Sequence, residues 1–455
     1  MLFSQLNLPA ALAQGLNDVE YIDMTPVQAA SLPTILAGGD VIAEAHTGSG
    51  KTAAFALGLL AALDVGVSSV QGLVLCPTRE LADQVSREIR RLARAIPNVK
   101  VLTLCGGVSL RPQLASLSHL PHIVVGTPGR IQELMEKQVL PLATVKVLVL
   151  DEADRMLDMG FADTIELVVK AVPEARQTLL FSATIPTEIR ALSRHLQRTP
   201  LDVSIEDADA RPHIEQMFFK VEAEHKLAAL RALLLNYKPE SAVVFCNTRH
   251  EVRSVEAYLI QNDFPALALH GELEQREREE MLVRFANHSC TVLVASDVAA
   301  RGLDIAELAL VVNYELASDA DTHLHRIGRT GRAGRSGLAV NLASSRESGR
   351  LRAIADASEE ALQWGTLPSA SGRPAAAPFV TLVVDAGRQD KLRAGDLLGA
   401  LTGSAGLPSS AVGKIDVFAT RTYVAIARDA VATARTGLRA GKIKGRNFRV
   451  RELAI

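Results

Sequence analysis

The chain has 455 residues, 48% of them hydrophobic and 22% charged, with a formal net charge of -2; that length exceeds a single compact core and calls for two or three domains. With no apolar run of 18 or more residues and no signal peptide in Met1-Leu2-Phe3-Ser4-Gln5, the expectation is a cytoplasmic protein without a membrane partner. Four scattered cysteines, Cys76, Cys105, Cys246 and Cys290, lack CxxC spacing and argue against a disulfide framework or a zinc site.

The first predicted strand, Asp40 to Ala43, runs into Ala45-His46-Thr47-Gly48-Ser49-Gly50-Lys51-Thr52 and then into an apolar helix. A Gly-rich loop in that setting wraps backbone N–H groups around nucleotide phosphates, puts Lys51 on the outer phosphates and offers the Thr52 hydroxyl to magnesium. Ala45 stands where the strict pattern asks for Gly. Apolar runs follow at Gly72 to Cys76, His122 to Val125, Val147 to Leu150 and Thr178 to Phe181, separated by segments of helical period such as Leu81 to Arg94. Continuous apolar runs between helices mark parallel strands buried on both faces. Asp151-Glu152-Ala153-Asp154 directly follows Val147 to Leu150, at the strand end where open α/β sheets bind ligands. There Asp151 would hold magnesium through water, and Glu152 would orient or deprotonate an attacking water.

The same grammar restarts after Asp207-Ala208-Asp209-Ala210-Arg211-Pro212, with runs at Ser241 to Cys246, Pro265 to Leu269, Thr291 to Ala295 and Leu308 to Val312. This second α/β domain contributes His325-Arg326-Ile327-Gly328-Arg329-Thr330-Gly331-Arg332. Its three arginines lie at i, i+3 and i+6, so Arg329 and Arg332 suit a single phosphate group, as an arginine finger would. Residues 366–378 are rich in Pro, Ala and Ser without an apolar period, as a linker should be. The last stretch reads β-α-β-β-α-β, the order of an RNA-recognition motif, with Tyr423 the main aromatic candidate for base stacking. From Arg373 onward there are 14 Lys+Arg against 6 Asp+Glu, a surplus of +8, which leaves the rest of the chain at -10. The cluster Lys442, Lys444, Arg446, Arg449 and Arg451 concentrates that charge and points to RNA.

Taken together, these motifs resemble the DEAD-box RNA helicase family over nearly all of residues 3 to 345. The series comes in the family's order: Phe3 with Tyr21 and Thr25-Pro26-Val27-Gln28, the Gly-rich loop, Pro77-Thr78-Arg79-Glu80-Leu81-Ala82, Thr127-Pro128-Gly129-Arg130, the acidic tetrad, and Ser182-Ala183-Thr184. The second domain continues with Gln275 and Arg278, Ser296 to Asp304, and His325 to Arg332. The resemblance implies ATP and Mg2+ as ligands and a fold of two tandem RecA-like parallel-sheet domains (1–207 and 213–365), a linker (366–378) and a small βαββαβ RNA-recognition-motif-like domain (379–455). It also implies that Tyr21 stacks on adenine, that Gln28 reads the adenine edge, and that Asp304 contacts ribose or the attacking water. Arg79, Thr127, Gly129, Arg130, Gln275, Arg278 and Arg301 would lie along RNA, contacting phosphates and sugars and so giving little sequence preference. Ser182, Thr184 and His325 would couple the two sites.

Over its whole length, with Gly395 to Gly403 and Lys442-Ile443-Lys444-Gly445-Arg446 in the tail, the chain is similar to the DbpA subgroup of bacterial ribosome-assembly helicases. That similarity implies a tail that binds a hairpin of large-subunit ribosomal RNA, a pre-ribosomal particle as partner, and a tethered core acting on nearby duplexes. Glu20, where the family usually has Gly, His46 for Gln and Ser296 for Thr are departures that remove no catalytic group. Two other classes fit parts of the pattern. One is an RNA-binding scaffold with a vestigial ATPase, which Lys51, Glu152, Arg329 and Arg332 disfavour; the other is a DNA-directed helicase, which stimulation by RNA against DNA would separate.

Overall fold

The computed structural model describes residues 1–45, 48–204, 214–300, 308–331, 337–358 and 361–453. The chain divides near residue 212 into two units.

The first unit is built on seven parallel strands: β1 (Val41–Glu44), β2 (Gly72–Leu75), β3 (Val101–Leu104), β4 (Ile123–Gly126), β5 (Val147–Asp151), β6 (Gln177–Ser182) and β7 (Leu201–Ser204). They lie in the order β3-β4-β2-β5-β6-β1-β7. Successive residues of a strand face opposite sides, so Val74, Val125, Val149 and Leu179 enter one apolar layer while Leu73, Val124, Leu148 and Leu180 enter the other. Helices cover both layers, which is why the strands read as unbroken apolar runs.

The helix Arg79–Leu92 illustrates how the sequence sets these cover elements. Thr78 caps it by accepting a hydrogen bond from Leu81 N at 3.3 Å, and such a cap stabilises by about 1 kcal/mol. Leu81, Ala82, Val85, Ile89 and Leu92 form its buried face. Arg87, Arg90 and Arg91 remain on the exposed side, the last two beside the negative end of the helix dipole.

The second unit carries β8 (Ile214–Lys220), β9 (Ala242–Cys246), β10 (Ala266–Leu269), β11 (Val292–Ser296), β12 (Leu310–Asn313), β13 (Gly337–Ala343) and β14 (Gln363–Trp364). Their order, β10-β11-β9-β12-β13-β8-β14, repeats that of the first sheet strand for strand. The tail sheet, β15 (Phe379–Val384), β16 (Val412–Val417), β17 (Thr422–Ala427) and β18 (Val450–Glu452), is antiparallel in the order β16-β17-β15-β18. One face packs on the helices Ala394–Gly399 and Val431–Ala440 through Leu382, Val384, Val424, Leu397 and Leu438.

The opposite face of that sheet rests on the second parallel-sheet domain. Val383, Tyr423 and Leu453 form an apolar cluster with Val283 of the helix Gln275–Ala286. Beside it, Thr381 Oγ1 accepts from Asn287 Nδ2 at 2.9 Å and donates to Ser289 Oγ at 2.8 Å, all three residues being buried. Each apolar side chain buried here contributes about 1.5–3 kcal/mol, so the tail is held against its neighbour rather than merely tethered to it. Tyr423 is therefore corrected as a base-stacking residue. It is 3% exposed and meets Phe418 edge-on at 5.5 Å, because the sheet face that carries it is spent on docking.

Candidate nucleotide site and nucleic-acid interface

The nucleotide loop begins where β1 ends, with Ala45 N donating to Ser182 O at 2.7 Å. His46 and Thr47 lie outside the described residues. Gly48 and Gly50 have φ of 94° and 89°, the left-handed region that favours glycine. A Cβ on Gly50 would sit 2.5 Å from Gln28 Nε2, so the loop also needs glycine for close approach. The helix Lys51–Ala61 then starts with its free N–H groups at the loop, a built-in anion site, and Ser49 and Thr52 belong to the same turn.

Lys51 is 4% exposed and Asp151 fully buried, and their Nζ and Oδ1 are 3.0 Å apart. Beyond that ion pair, Lys51 Nζ and both Asp151 carboxylate oxygens make no hydrogen bond among the described residues. Burial works against the Lys51 ammonium, yet the carboxylates of Asp151 and Glu152 outweigh it and hold its pKa above the usual value. Burial pushes the Asp151 carboxyl up, an effect that Lys51 opposes. The proton stays on Lys51. A buried cation and carboxylate with unspent bonding capacity, beside the N-terminus of the helix Lys51–Ala61, fit a phosphate group and its magnesium.

Asp151 closes β5 and Glu152 follows with φ 55°, a left-handed backbone rare outside glycine. Glu152 pairs with Arg155 at 3.5 Å. The tetrad's last member has a use that sequence reasoning did not assign. Asp154 N donates to Ser182 Oγ at 3.2 Å, and Asp154 Oδ2 accepts from Thr184 N at 3.2 Å and from Thr184 Oγ1 at 3.4 Å. Ser182 and Thr184 are thus bonded to the acidic tetrad itself.

Gln28 bridges two motifs: its Oε1 accepts from Thr25 N and its Nε2 donates to Gly50 O, both at 2.9 Å. Tyr21 stacks on Phe3 with centroids 6.1 Å apart and donates its hydroxyl to Glu88 Oε1 at 2.9 Å.

Three residues expected along RNA converge on one loop after β3. Arg79 Nη1 donates to Gly106 O at 2.9 Å, Thr127 Oγ1 accepts from Gly106 N at 3.3 Å, and Arg130 Nη2 donates to Val108 O at 3.0 Å. Gly129 is the second residue of the adjoining helix Pro128–Glu136, with empty space where a Cβ would stand. In the second unit, Gln275 begins its helix and Arg278 Nη2 donates to Ala299 O at 2.6 Å. Arg301, Asp304 and Arg332 lie outside the described residues.

His325 is half-buried on the helix Ala320–Ile327, and Arg329, just beyond it, is buried. Their neighbour Arg326, 2% exposed, is the hub of this region. It holds Asp297 in a bidentate pair at 2.6 and 2.7 Å. Its remaining N–H groups go to Asn313 Oδ1, Glu315 O and Asn247 Oδ1. With all five donors satisfied it is a structural cation.

On the tail, Lys442, Lys444 and Arg446 are exposed on a tight turn closed by bonds between Ile443 and Arg446, with Lys444 at φ 52°. Lys444 also pairs with Asp396 at 3.5 Å. Among the described residues no helix is long and apolar enough to cross a membrane, and no cluster of His, Cys, Asp and Glu would hold a metal by itself.

Comparison with known proteins agrees along the whole length. Residues 25–192 match the DEAD/DEAH box helicase family, residues 225–334 the helicase conserved C-terminal domain, and residues 381–452 the DbpA RNA binding domain. The ATP-dependent RNA helicase DbpA of Escherichia coli K12 is 52% identical over 453 residues, 99% of either chain. The DEAD-box ATP-dependent RNA helicase CshA of Bacillus cereus is 42% identical over 77% of this chain and 67% of its own. Among solved structures, Saccharomyces cerevisiae Dbp5 bound to RNA and ADP BeF3 superposes with a TM-score of 0.73 at 28% identity, covering 80% of this chain and 95% of that one. With a nucleotide loop, an acidic tetrad bonded to Ser182 and Thr184, and a basic tail domain all matched, the chain belongs to the DEAD-box ATP-dependent RNA helicases, in the DbpA type with its own RNA-binding domain.

Proposed function

We propose that this helicase couples ATP hydrolysis to local unwinding of short RNA duplexes, and that its tail directs it in the cytoplasm to a hairpin of large-subunit ribosomal RNA within a pre-ribosomal particle. The observation that carries the catalytic half is the buried Lys51–Asp151 pair, whose hydrogen-bonding capacity is unspent under the Gly-rich loop. In this reading Lys51 and the loop from Ala45 to Thr52 hold the phosphates, and Glu152 orients or deprotonates the attacking water. Thr52 and, through water, Asp151 would hold magnesium, which would neutralise phosphate charge. Arg329 and Arg332 add charge stabilisation from the second domain, and Asp304 contacts ribose or water. Gln28 has one N–H and one lone pair beyond its bonds to Gly50 and Thr25, enough to read the adenine edge while Tyr21 stacks on the ring.

Ser182, Thr184 and His325 carry the coupling between nucleotide and RNA, and the bonds from Asp154 to the first two support it. Arg79, Thr127, Gly129, Arg130, Gln275, Arg278 and Arg301 grip the sugar-phosphate backbone. A strand bent in that grip cannot remain in a regular duplex, so a few base pairs are lost without translocation. ATP and RNA each favour the closed arrangement, and loss of the γ-phosphate releases it.

Targeting rests on the exposed turn of Lys442, Lys444 and Arg446 and on the likeness to the E. coli protein. The test is steady-state ATPase rate with no nucleic acid, generic RNA, DNA, and a ribosomal RNA fragment containing the peptidyl-transferase hairpin. Selective stimulation by the fragment, lost on replacing the three basic residues by alanine, is the expected result. Equal stimulation by any RNA would discard the targeting, and equal stimulation by DNA would discard the RNA helicase reading.

A further inference from the structure

Tyr21 stands on a segment that its own sequence does not favour. The preceding residue, Glu20, has φ 59°, a left-handed backbone that costs a non-glycine residue free energy and loosens the preference for one conformation. Both neighbours of Glu20 are tied to the helix Arg79–Leu92. On one side Arg91 Nη2 donates to Val19 O at 3.2 Å; on the other the Tyr21 hydroxyl donates to Glu88 Oε1 at 2.9 Å. Arg91 also lies 5.3 Å from the Tyr21 ring centroid and pairs with Glu88 at 3.4 Å. Burial and then the Glu88 carboxylate push the phenol up, so it stays protonated and keeps donating.

We propose that Glu88 and Arg91 are positioning residues for nucleotide binding: they pin the carbonyl before Glu20 and the hydroxyl after it, and so hold the Tyr21 ring in one orientation. This rests on the reading that Tyr21 stacks on adenine. Neither residue touches the nucleotide; both act through Tyr21. The helix that carries them also carries Arg79 at its first turn, so the adenine platform and an RNA-facing arginine share one rigid element.

The contact energies set the size of the effect. Removing one hydrogen bond that orients the ring should raise the KM for ATP about 3- to 10-fold, with a smaller change in kcat. Arg91→Ala and Glu88→Ala should each do so, and Tyr21→Phe, which keeps the ring and loses only the hydroxyl, should raise KM similarly. The double variant Tyr21→Phe/Glu88→Ala should be no worse than Glu88→Ala alone, because the Tyr21 hydroxyl bond is already lost in that single change. Glu20→Gly, which relieves the left-handed strain, should return the KM of Arg91→Ala most of the way to that of the parent chain.

The decisive experiment measures KM and kcat for ATP at saturating RNA across these variants, with Tyr21→Ala beside them and unfolding midpoints alongside. A raised KM in Tyr21→Ala with no change in Arg91→Ala, Glu88→Ala and Tyr21→Phe would overturn the positioning role and leave adenine stacking standing. An unchanged KM in Tyr21→Ala would overturn adenine stacking, and the positioning role with it. Lowered unfolding midpoints with KM unchanged would make Glu88 and Arg91 merely structural.

Discussion

The two parallel sheets share one strand order, and each has a buried lysine at the first position of the helix that follows its equivalent strand, Lys51 after β1 and Lys226 after β8. Their surroundings differ. Lys226 Nζ makes two hydrogen bonds, donating to Tyr314 O at 2.8 Å and to Glu347 Oε2 at 2.6 Å. Glu347 in turn accepts from Leu316 N and from both the N–H and the hydroxyl of Ser344. Burial would raise the Glu347 carboxyl, but the hydrogen bonds from Lys226 and Ser344 hold it below its usual value. At Lys51 the balance runs the other way, with a single ion pair and an Asp151 carboxyl pushed up by burial. One fold thus holds a buried lysine either in a single ion pair, as at the proposed nucleotide site, or in a network of hydrogen bonds that ties two elements together.

The largest effect that tests this contrast is on turnover. Glu152→Gln should lower kcat by about 10²–10⁴-fold, as loss of a positioned base does, and Lys51→Ala should abolish turnover as well. Both variants should still bind RNA through the tail, which a filter-binding titration checks. Lys226→Met should do the reverse, leaving the KM for ATP in place while lowering stability by about 3–5 kcal/mol in denaturant unfolding, because Glu347 is left buried and unpaired. Replacing Glu347 by Leu in that background should recover most of the loss. A Lys226 variant with normal stability and impaired ATP binding would break the comparison.

Acid provides a smaller lever, specific to the second unit. His323 is buried against Phe218 and Gln216, and burial followed by the nearby Arg326 lowers its pKa from 6.5 to about 4. Between these values the unfolded chain binds a proton that the folded chain refuses, so stability falls as pH drops from 6.5 to 4 and is retained above 6.5. The full effect is about 3 kcal/mol, and His323→Gln should flatten that part of the stability profile. Smallest is the change at the tail interface: Thr381→Val leaves Asn287 and Ser289 buried with bonds unmade and should cost about 1–3 kcal/mol, read as an earlier unfolding of the tail.

Central strands were legible because both faces are buried: Leu73, Val74 and Leu75 or Val147 to Leu150 admit no polar residue. Some strands nearer the sheet margins were not. Leu201–Ser204 is exposed at every position except Val203, and Ile214–Lys220 mixes Glu215, Gln216 and Lys220 with apolar residues because only the two-residue β14 covers its outer edge. Motif residues fixed by local chemistry, such as Gly50 before Lys51, could be read from spacing. The bonds of Asp154 to Ser182 and Thr184 span about 30 positions and leave no periodic trace.

The amino-acid sequence by itself determined the fold class, the two α/β domains with a basic βαββαβ tail, and which residues are candidates to handle phosphate, because these depend on local period, turn geometry and side-chain type. Tertiary structure alone decided how those residues are used. It satisfied all five donors of Arg326, tied off Lys226 while leaving Lys51 available, and turned the Tyr423 face of the tail sheet inward against Val283. The physical reason is that hydrogen-bond satisfaction and burial are properties of neighbours brought together by folding, and residues distant in sequence carry no mark of which neighbours those will be.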